Sequence, residues 1–131
     1  MKTKDKFILI ALFPVICLNC KSQEIQRIDI KCVDIRIETP FGITCEKFED
    51  FFQEDIDTIS IEDQERITVF SRIIKELKEA DQSKYSSPDT RIKIEIIHKD
   101  KKTILCIDHL VISNSDNLYL TSDAMLEFIE E

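Results

Sequence analysis

The sequence predicts an α+β fold, an antiparallel sheet (a hairpin or meander plus an N-terminal strand) packed against helices on one face. Three observations carry this. Residues 91–98 and 103–112 alternate apolar and polar side chains on either side of Lys99-Asp100-Lys101-Lys102, the pattern of a hairpin. Ile67, Phe70, Ile74 and Leu77 recur at helical spacing, with charged residues opposite. Strands that follow one another in sequence favour a meander over crossovers, so the helices are left to cover the sheet.

The elements follow in order. Residues 28–38 read as the first strand, but its alternation changes phase. Ile28, Ile30 and Cys32 share one face, and Val33, Ile35 and Ile37 the other. A bulge near Cys32 and Val33 accounts for the switch, and so does a strand buried on both sides. Thr39-Pro40-Phe41-Gly42 has the residues of a type I turn. Thr44 is placed to cap a short helix bearing Phe48, Phe51 and Phe52. Residues 58–61 are extended. Ser60-Ile61-Glu62-Asp63 resembles a capping box for the main helix, which the apolar spacing carries to about Ala80.

A polar loop, residues 81–89, leads to the hairpin. Pairing His98 with Thr103 sets Ile96 against Leu105, Ile94 against Ile107 and Ile92 against His109. It also opposes Lys93 to Asp108 and sets Cys106 beside Glu95. Residues 113–117 turn the chain into a third strand, residues 118–120. Ser122 then caps a last helix carrying Met125, Leu126, Phe128 and Ile129. Glu127, Glu130 and Glu131 crowd its C-terminal end against the helix dipole, so that end is expected to fray.

The N-terminus is of another kind. Lys2, Lys4 and Lys6 precede an uncharged, mostly apolar run from Phe7 to Leu18. A run of about a dozen residues falls short of the roughly 20 that span a bilayer, and a basic start before a short apolar run is a secretory pattern. Cys17-Leu18-Asn19-Cys20 then resembles the lipobox of bacterial lipoproteins, with Cys17 where Leu is commonest and Asn19 where a small residue is commonest. The resemblance covers only this segment. It implies that Cys20 is acylated and becomes the new N-terminus; Cys17 is the other reading, but Pro14 and Ile16 flank it less suitably. Lys21 in place of Asp after that cysteine favours the outer membrane over the inner. Two or three acyl chains, at about 0.8 kcal/mol per buried methylene, hold a domain without a spanning helix. The plain alternatives are a cleaved secretory protein and a buried N-terminal strand. The resulting organisation is a signal peptide over residues 1–19, a lipidated tether over 20–26 and one domain over 27–131. Its overall form resembles the small envelope lipoproteins of Gram-negative bacteria that have no assigned activity.

Removing residues 1–19 leaves 112 of 131 residues and takes away Lys2, Lys4, Lys6 and Asp5, so the formal charge goes from −8 to −10. That size is one domain with room for a core. That charge argues against nucleic acid and against an anionic membrane surface, and it points to a basic protein as partner. Gly42 is the sole glycine, so a phosphate-cradling loop is excluded, and without Trp a sugar-stacking platform is poorly supported.

Cys32, Cys45 and Cys106 remain beyond the lipid site. Cys32 with Cys45 would close a short loop worth roughly 3 kcal/mol, and the other reading is three buried thiols. No CxxC spacing supports redox catalysis or a zinc ribbon. His98 and His109 sit about 20 Å apart along a strand, too far to share a metal. Strand alternation also turns His109 away from Cys106, so no Cys-His pair forms. No cofactor and no catalytic residue is expected.

Acidic residues crowd positions 46–65, notably Glu46, Glu49, Asp50, Glu54, Asp55 and Asp57. Three readings stand: a solvated face, a docking surface for a basic protein, and a weak cation site or acid/base pair. The run Glu54-Asp55-Ile56-Asp57 lacks the glycine of a calcium loop. Paired catalytic carboxylates need a desolvated cleft, of which the sequence gives no sign. The leading expectation is a lipid-anchored protein-binding or inhibitor-like module. A structural envelope lipoprotein comes second, and a small hydrolase or redox enzyme last.

Overall fold

A computed structural model describes residues 24–115 and 117–130. Six antiparallel strands form one sheet in the order β2-β1-β3-β4-β5-β6. The strands are β1 (Ile25–Cys32), β2 (Asp57–Ile61), β3 (Ile92–His98), β4 (Lys102–Ile107), β5 (Val111–Asn114) and β6 (Asn117–Leu120). The described helices are α1 (Phe48–Phe52), followed by a 3-10 turn (Gln53–Asp55), α2 (Gln64–Lys75) and α3 (Asp123–Glu130). The class is α+β, with a meander β3-β4-β5-β6 and the N-terminal strand β1 beside it.

β1 begins at Ile25, so Ile25 and Gln26 of the expected tether are already strand. It ends at Cys32, which removes the phase change as a problem. Val33 keeps one backbone bond to Arg91 O, at 3.0 Å, and its side chain packs on the other face with Ile43, Phe48 and Phe52. The hydrogen-bonded turn here is Asp34–Ile37, where Ile37 N donates to Asp34 O at 3.0 Å and Arg36 N to Asp34 Oδ1 at 2.9 Å. Residues 39–42 form only a bend, in which Thr39 Oγ1 donates to Phe41 O at 2.6 Å.

Thr44 offers its backbone carbonyl to Lys47 N and not its hydroxyl to α1, which has no side-chain cap. Ser60 stays in β2 and donates to Asp29 Oδ1 at 2.7 Å. The cap of α2 is Asp63, which accepts from Glu65 N. α2 stops at Lys75, not Ala80, because residues 78–80 run along the outer side of β6. Ser122 does cap α3, accepting from Met125 N at 3.1 Å.

The hairpin forms, but two residues out of the expected register. Ile92 pairs with Ile107, Ile94 with Leu105 and Ile96 with Thr103. The turn is tighter than expected, with His98 N donating to Lys101 O around Lys99 and Asp100. A slip of two keeps every side chain on its face, so the inward set is unchanged. Lys93 therefore opposes Cys106, and Asp108 is not its partner. Asp108 instead ends β4: its Oδ1 accepts from Leu110 N and Val111 N, both at 2.8 Å, and the chain reverses into β5. The strand expected over 103–112 is thus two strands.

The main core lies on one face. Ile28, Ile30, Ile94 and Ile107 of the sheet meet Ile67 and Phe70 of α2, and Met125 and Phe128 of α3. Phe70 and Phe128 rings lie 5.4 Å apart. The other face is not open. Residues 33–56, including α1, cross it over β1, β3 and β4, while Ala80 and Tyr85 pack with Val111 and Leu118 at the β5–β6 end. Helices are only part of the cover, and the expectation of helices on one face gives way to cover on both.

Candidate functional site

Strand alternation sends Ile28, Ile30 and Cys32 of β1 toward the main core and Asp29 and Lys31 to the second face. On β3 the second face takes Lys93 and Glu95, and on β4 it takes Cys106. Chemistry-bearing side chains collect there. Cys106, fully buried, is disulfide-bonded to Cys45 at the entrance to α1, with Cα atoms 5.7 Å apart. The expected Cys32–Cys45 bridge does not form. Cys32 packs at the edge of the main core, on the opposite side of the sheet from Cys45, and is a free thiol. Burial and the nearby Asp57 carboxylate push that thiol up, away from the nucleophilic thiolate form.

Beside the disulfide runs a chain of charges. Lys93 Nζ donates to Glu49 Oε1 at 2.9 Å and to Cys45 O at 3.3 Å. Lys31 Nζ reaches Glu49 Oε2 at 3.3 Å and Glu95 Oε2 at 3.4 Å, and Lys102 approaches Glu95 at 3.9 Å. Burial would raise the Glu49 carboxyl. The Lys93 hydrogen bond, its own backbone and the Lys93 charge outweigh that and hold it below the usual range. Burial would lower Lys31, but Glu49 and Glu95 raise it above the usual lysine range. Glu49 is therefore a fastening of α1 to the sheet and not a free member of the acidic face.

A second fastening is Arg91, only 5 % exposed. Its guanidinium donates to Ile37 O at 3.0 and 3.1 Å and to Asp89 at 2.7 and 3.1 Å, and it lies 5.4 Å over the Phe52 ring. Asp89 Oδ1 also accepts from Ile43 N at 2.7 Å, and Asp89 N donates to Asp108 Oδ2 at 3.0 Å. Ile37, Asp89, Arg91 and Asp108 line an open cleft of about 370 Å³ that also holds His109. Asp89 and Asp108 spend their oxygens on backbone and Arg91, so neither is poised as a base. The exposed His109 sits on the β4–β5 turn. His98 ends β3 at the other end of the hairpin, with Thr103 Oγ1 at 3.4 Å.

Outside these fastenings lies a mixed acidic and aromatic surface. Phe41 is 58 % and Phe51 40 % exposed, with rings 5.6 Å apart, edge to face; Phe51 in turn meets the buried Phe52 at 5.0 Å. Asp50, Glu54 and Asp55 are exposed on α1 and the 3-10 turn, and Asp57 is exposed at the start of β2. The reversal between α1 and the 3-10 turn is made at Gln53, whose φ of 44° is a strained backbone for a residue with a side chain. Glu46 stands apart, on a groove of about 430 Å³ with Cys45, Lys93 and Lys102. Cys20 lies outside the described residues. No described helix is long and apolar enough to cross a membrane. Among the described residues no three His, Cys, Asp or Glu side chains gather as metal ligands.

The aromatic pair was missed in the sequence because helical spacing placed Phe51 with the buried Phe48 and Phe52. The signal for Phe41 was its position in a bend between Pro40 and Gly42, where no regular element exists to bury it. No family model, curated protein or solved structure matches this chain.

Proposed function

We propose that this chain is a lipid-anchored module of a bacterial cell envelope, held through Cys20, that binds a basic protein and catalyses no reaction. The observation that carries the binding role is the exposed Phe41–Phe51 pair beside Asp50, Glu54 and Asp55. Exposed aromatics ringed by charge mark binding surfaces, where rings supply contact area and charges supply steering. The export pattern and the lipobox resemblance of residues 17–20 support the envelope address, and Lys21 supports the outer membrane.

The test is capture of partners from envelope extracts. Capture should fall steeply between about 0.05 and 0.5 M salt. It should also be lost in Phe41→Ser/Phe51→Ser and weakened in Asp50→Asn/Glu54→Gln/Asp55→Asn. Capture indifferent to salt and to both variants would sink the binding role. Palmitate labelling that leaves the protein unmarked would remove the lipid anchor. One observation favours a structural envelope role instead: Glu49, at the centre of the acidic run, is turned inward onto Lys31 and Lys93. That role predicts no phenotype when the remaining acids are neutralised.

A further inference from the structure

The sheet has two outer strands, and the chain treats them differently. Along β6, Ala80 N donates to Leu118 O at 2.9 Å and Leu120 N to Lys78 O at 2.8 Å, with Glu79 bridging Tyr119. That edge is closed. β2 pairs with β1, and no backbone hydrogen bond among the described residues reaches its other side.

The register shows which groups are left over. Val33 N donates to Arg91 O in continuation of the β1–β3 ladder, so odd-numbered residues of β1 bond to β3 and even-numbered ones to β2. Ile28, Ile30 and Cys32 then bond to Ile61, Ile59 and Asp57. The backbone N–H and C=O of Thr58 and Ser60 point away from the sheet. Natural edges are blunted by Pro, Lys or a bulge. β2 has no Pro or Lys, its one charge, Asp57, stands at its start, and its pairing runs from Ile28↔Ile61 to Cys32↔Asp57 without a shift.

Charge selects the occupant. Thr58 to Ile61 is uncharged, but Glu54, Asp55 and Asp57 precede it and Glu62, Asp63 and Glu65 follow. A second copy pairing antiparallel would bring Asp57 against the partner's acidic end, a repulsive arrangement. We infer that β2 accepts an extended segment of a partner protein as a seventh strand, small or β-branched in the middle and bearing Lys or Arg at both ends. Main-chain bonds supply affinity in such strand addition, and flanking groups supply selectivity. The inference rests on the proposed basic partner and names how it docks.

The probe is a fluorescent peptide, Lys-Lys-Val-Thr-Val-Thr-Lys-Lys, titrated into the full chain, with a control in which the second Val is Pro. The parent peptide should bind, the control should bind about tenfold more weakly, and amide exchange at Thr58 and Ser60 should slow about tenfold. Thr58→Pro removes an outward N–H that an edge strand does not need. It should keep the melting temperature and lose about tenfold in peptide affinity. Equal binding of both peptides, equal binding by Thr58→Pro, or exchange at Thr58 and Ser60 already slow without peptide overturns the inference. So does dimerisation that Thr58→Pro abolishes. The exchange measurement on the unaltered chain decides the matter even if the variant fails to fold. Extract capture that survives Thr58→Pro but not Phe41→Ser/Phe51→Ser removes the edge as the docking site and leaves the proposed function standing.

Discussion

The face of the sheet turned toward α2 and α3 is closed by aliphatic and aromatic side chains. The opposite face is fastened by a disulfide, a buried arginine and a run of ion pairs, with smaller apolar clusters beneath. The first depends on removing hydrocarbon from water, which pH and redox conditions scarcely touch. The second depends on groups whose state is set by the surroundings. The surface proposed for binding is mounted on the second face, so its shape is open to chemical control that the main core escapes.

Breaking the disulfide should give the largest separation between the two faces. Cys45 and Cys106 are 61 residues apart in sequence, and a loop of that size corresponds to roughly 4 kcal/mol in the chain-entropy account. Urea unfolding with and without dithiothreitol measures it. Amide exchange should quicken first over residues 45–56, with α2 still protected. Arg91→Ala comes next. It leaves Ile37 O without its side-chain donor and leaves the half-exposed Asp89 carboxylate only its bond from Ile43 N, and should cost about 2 kcal/mol, read from the same urea midpoints. Ile94→Val removes one methylene from the main core and should cost about 1 kcal/mol. That cost should stay the same from pH 4 to pH 8 and in reductant.

Glu49→Gln should be smallest, about 1 kcal/mol or less at neutral pH, since the Glu49 side chain is 36 % exposed and water screens the pairs. Its signature is in pH. The folded carboxyl lies below its unfolded value of 4.5, so its contribution is complete above that pH and disappears as pH falls through the lower folded value. The unaltered protein should lose stability there, and Glu49→Gln should lose less. Lys31, raised above 10.5, works at the alkaline end: its contribution is present below that pH and disappears as pH rises through the folded value. Thermal melts at pH 3, 7 and 11 test both. Equal acid sensitivity with and without Glu49 would break the contrast between the faces.

Local pattern made much of this legible. The inward set of the hairpin was readable because a period of two survives a slip of two. The register was not, because the Lys93–Asp108 charge match is worth little beside a tight turn at Lys99 and Asp100 and the chain reversal that Asp108 caps. Ser122 was readable as a cap from the apolar run behind it. The end of α2 was not, because Leu77 continues the helical spacing while the next residues are drawn onto β6. The disulfide was hidden for a related reason. Which cysteines meet depends on which side of the sheet each lies, and Cys32 sits on the wrong side. Glu49 looked like one acid among many because Lys31 and Lys93 lie 18 and 44 residues away.

β1 is the first described strand of the chain, yet it sits inside the sheet with a neighbour on each side. A pull at its leading end acts along the strand, so the ladders to β2 and β3 are loaded in shear and must yield together, not one rung at a time. A load arriving ahead of Ile25 would therefore be taken by a strand that two ladders hold at once. The edge strands, which would peel, are spared the load.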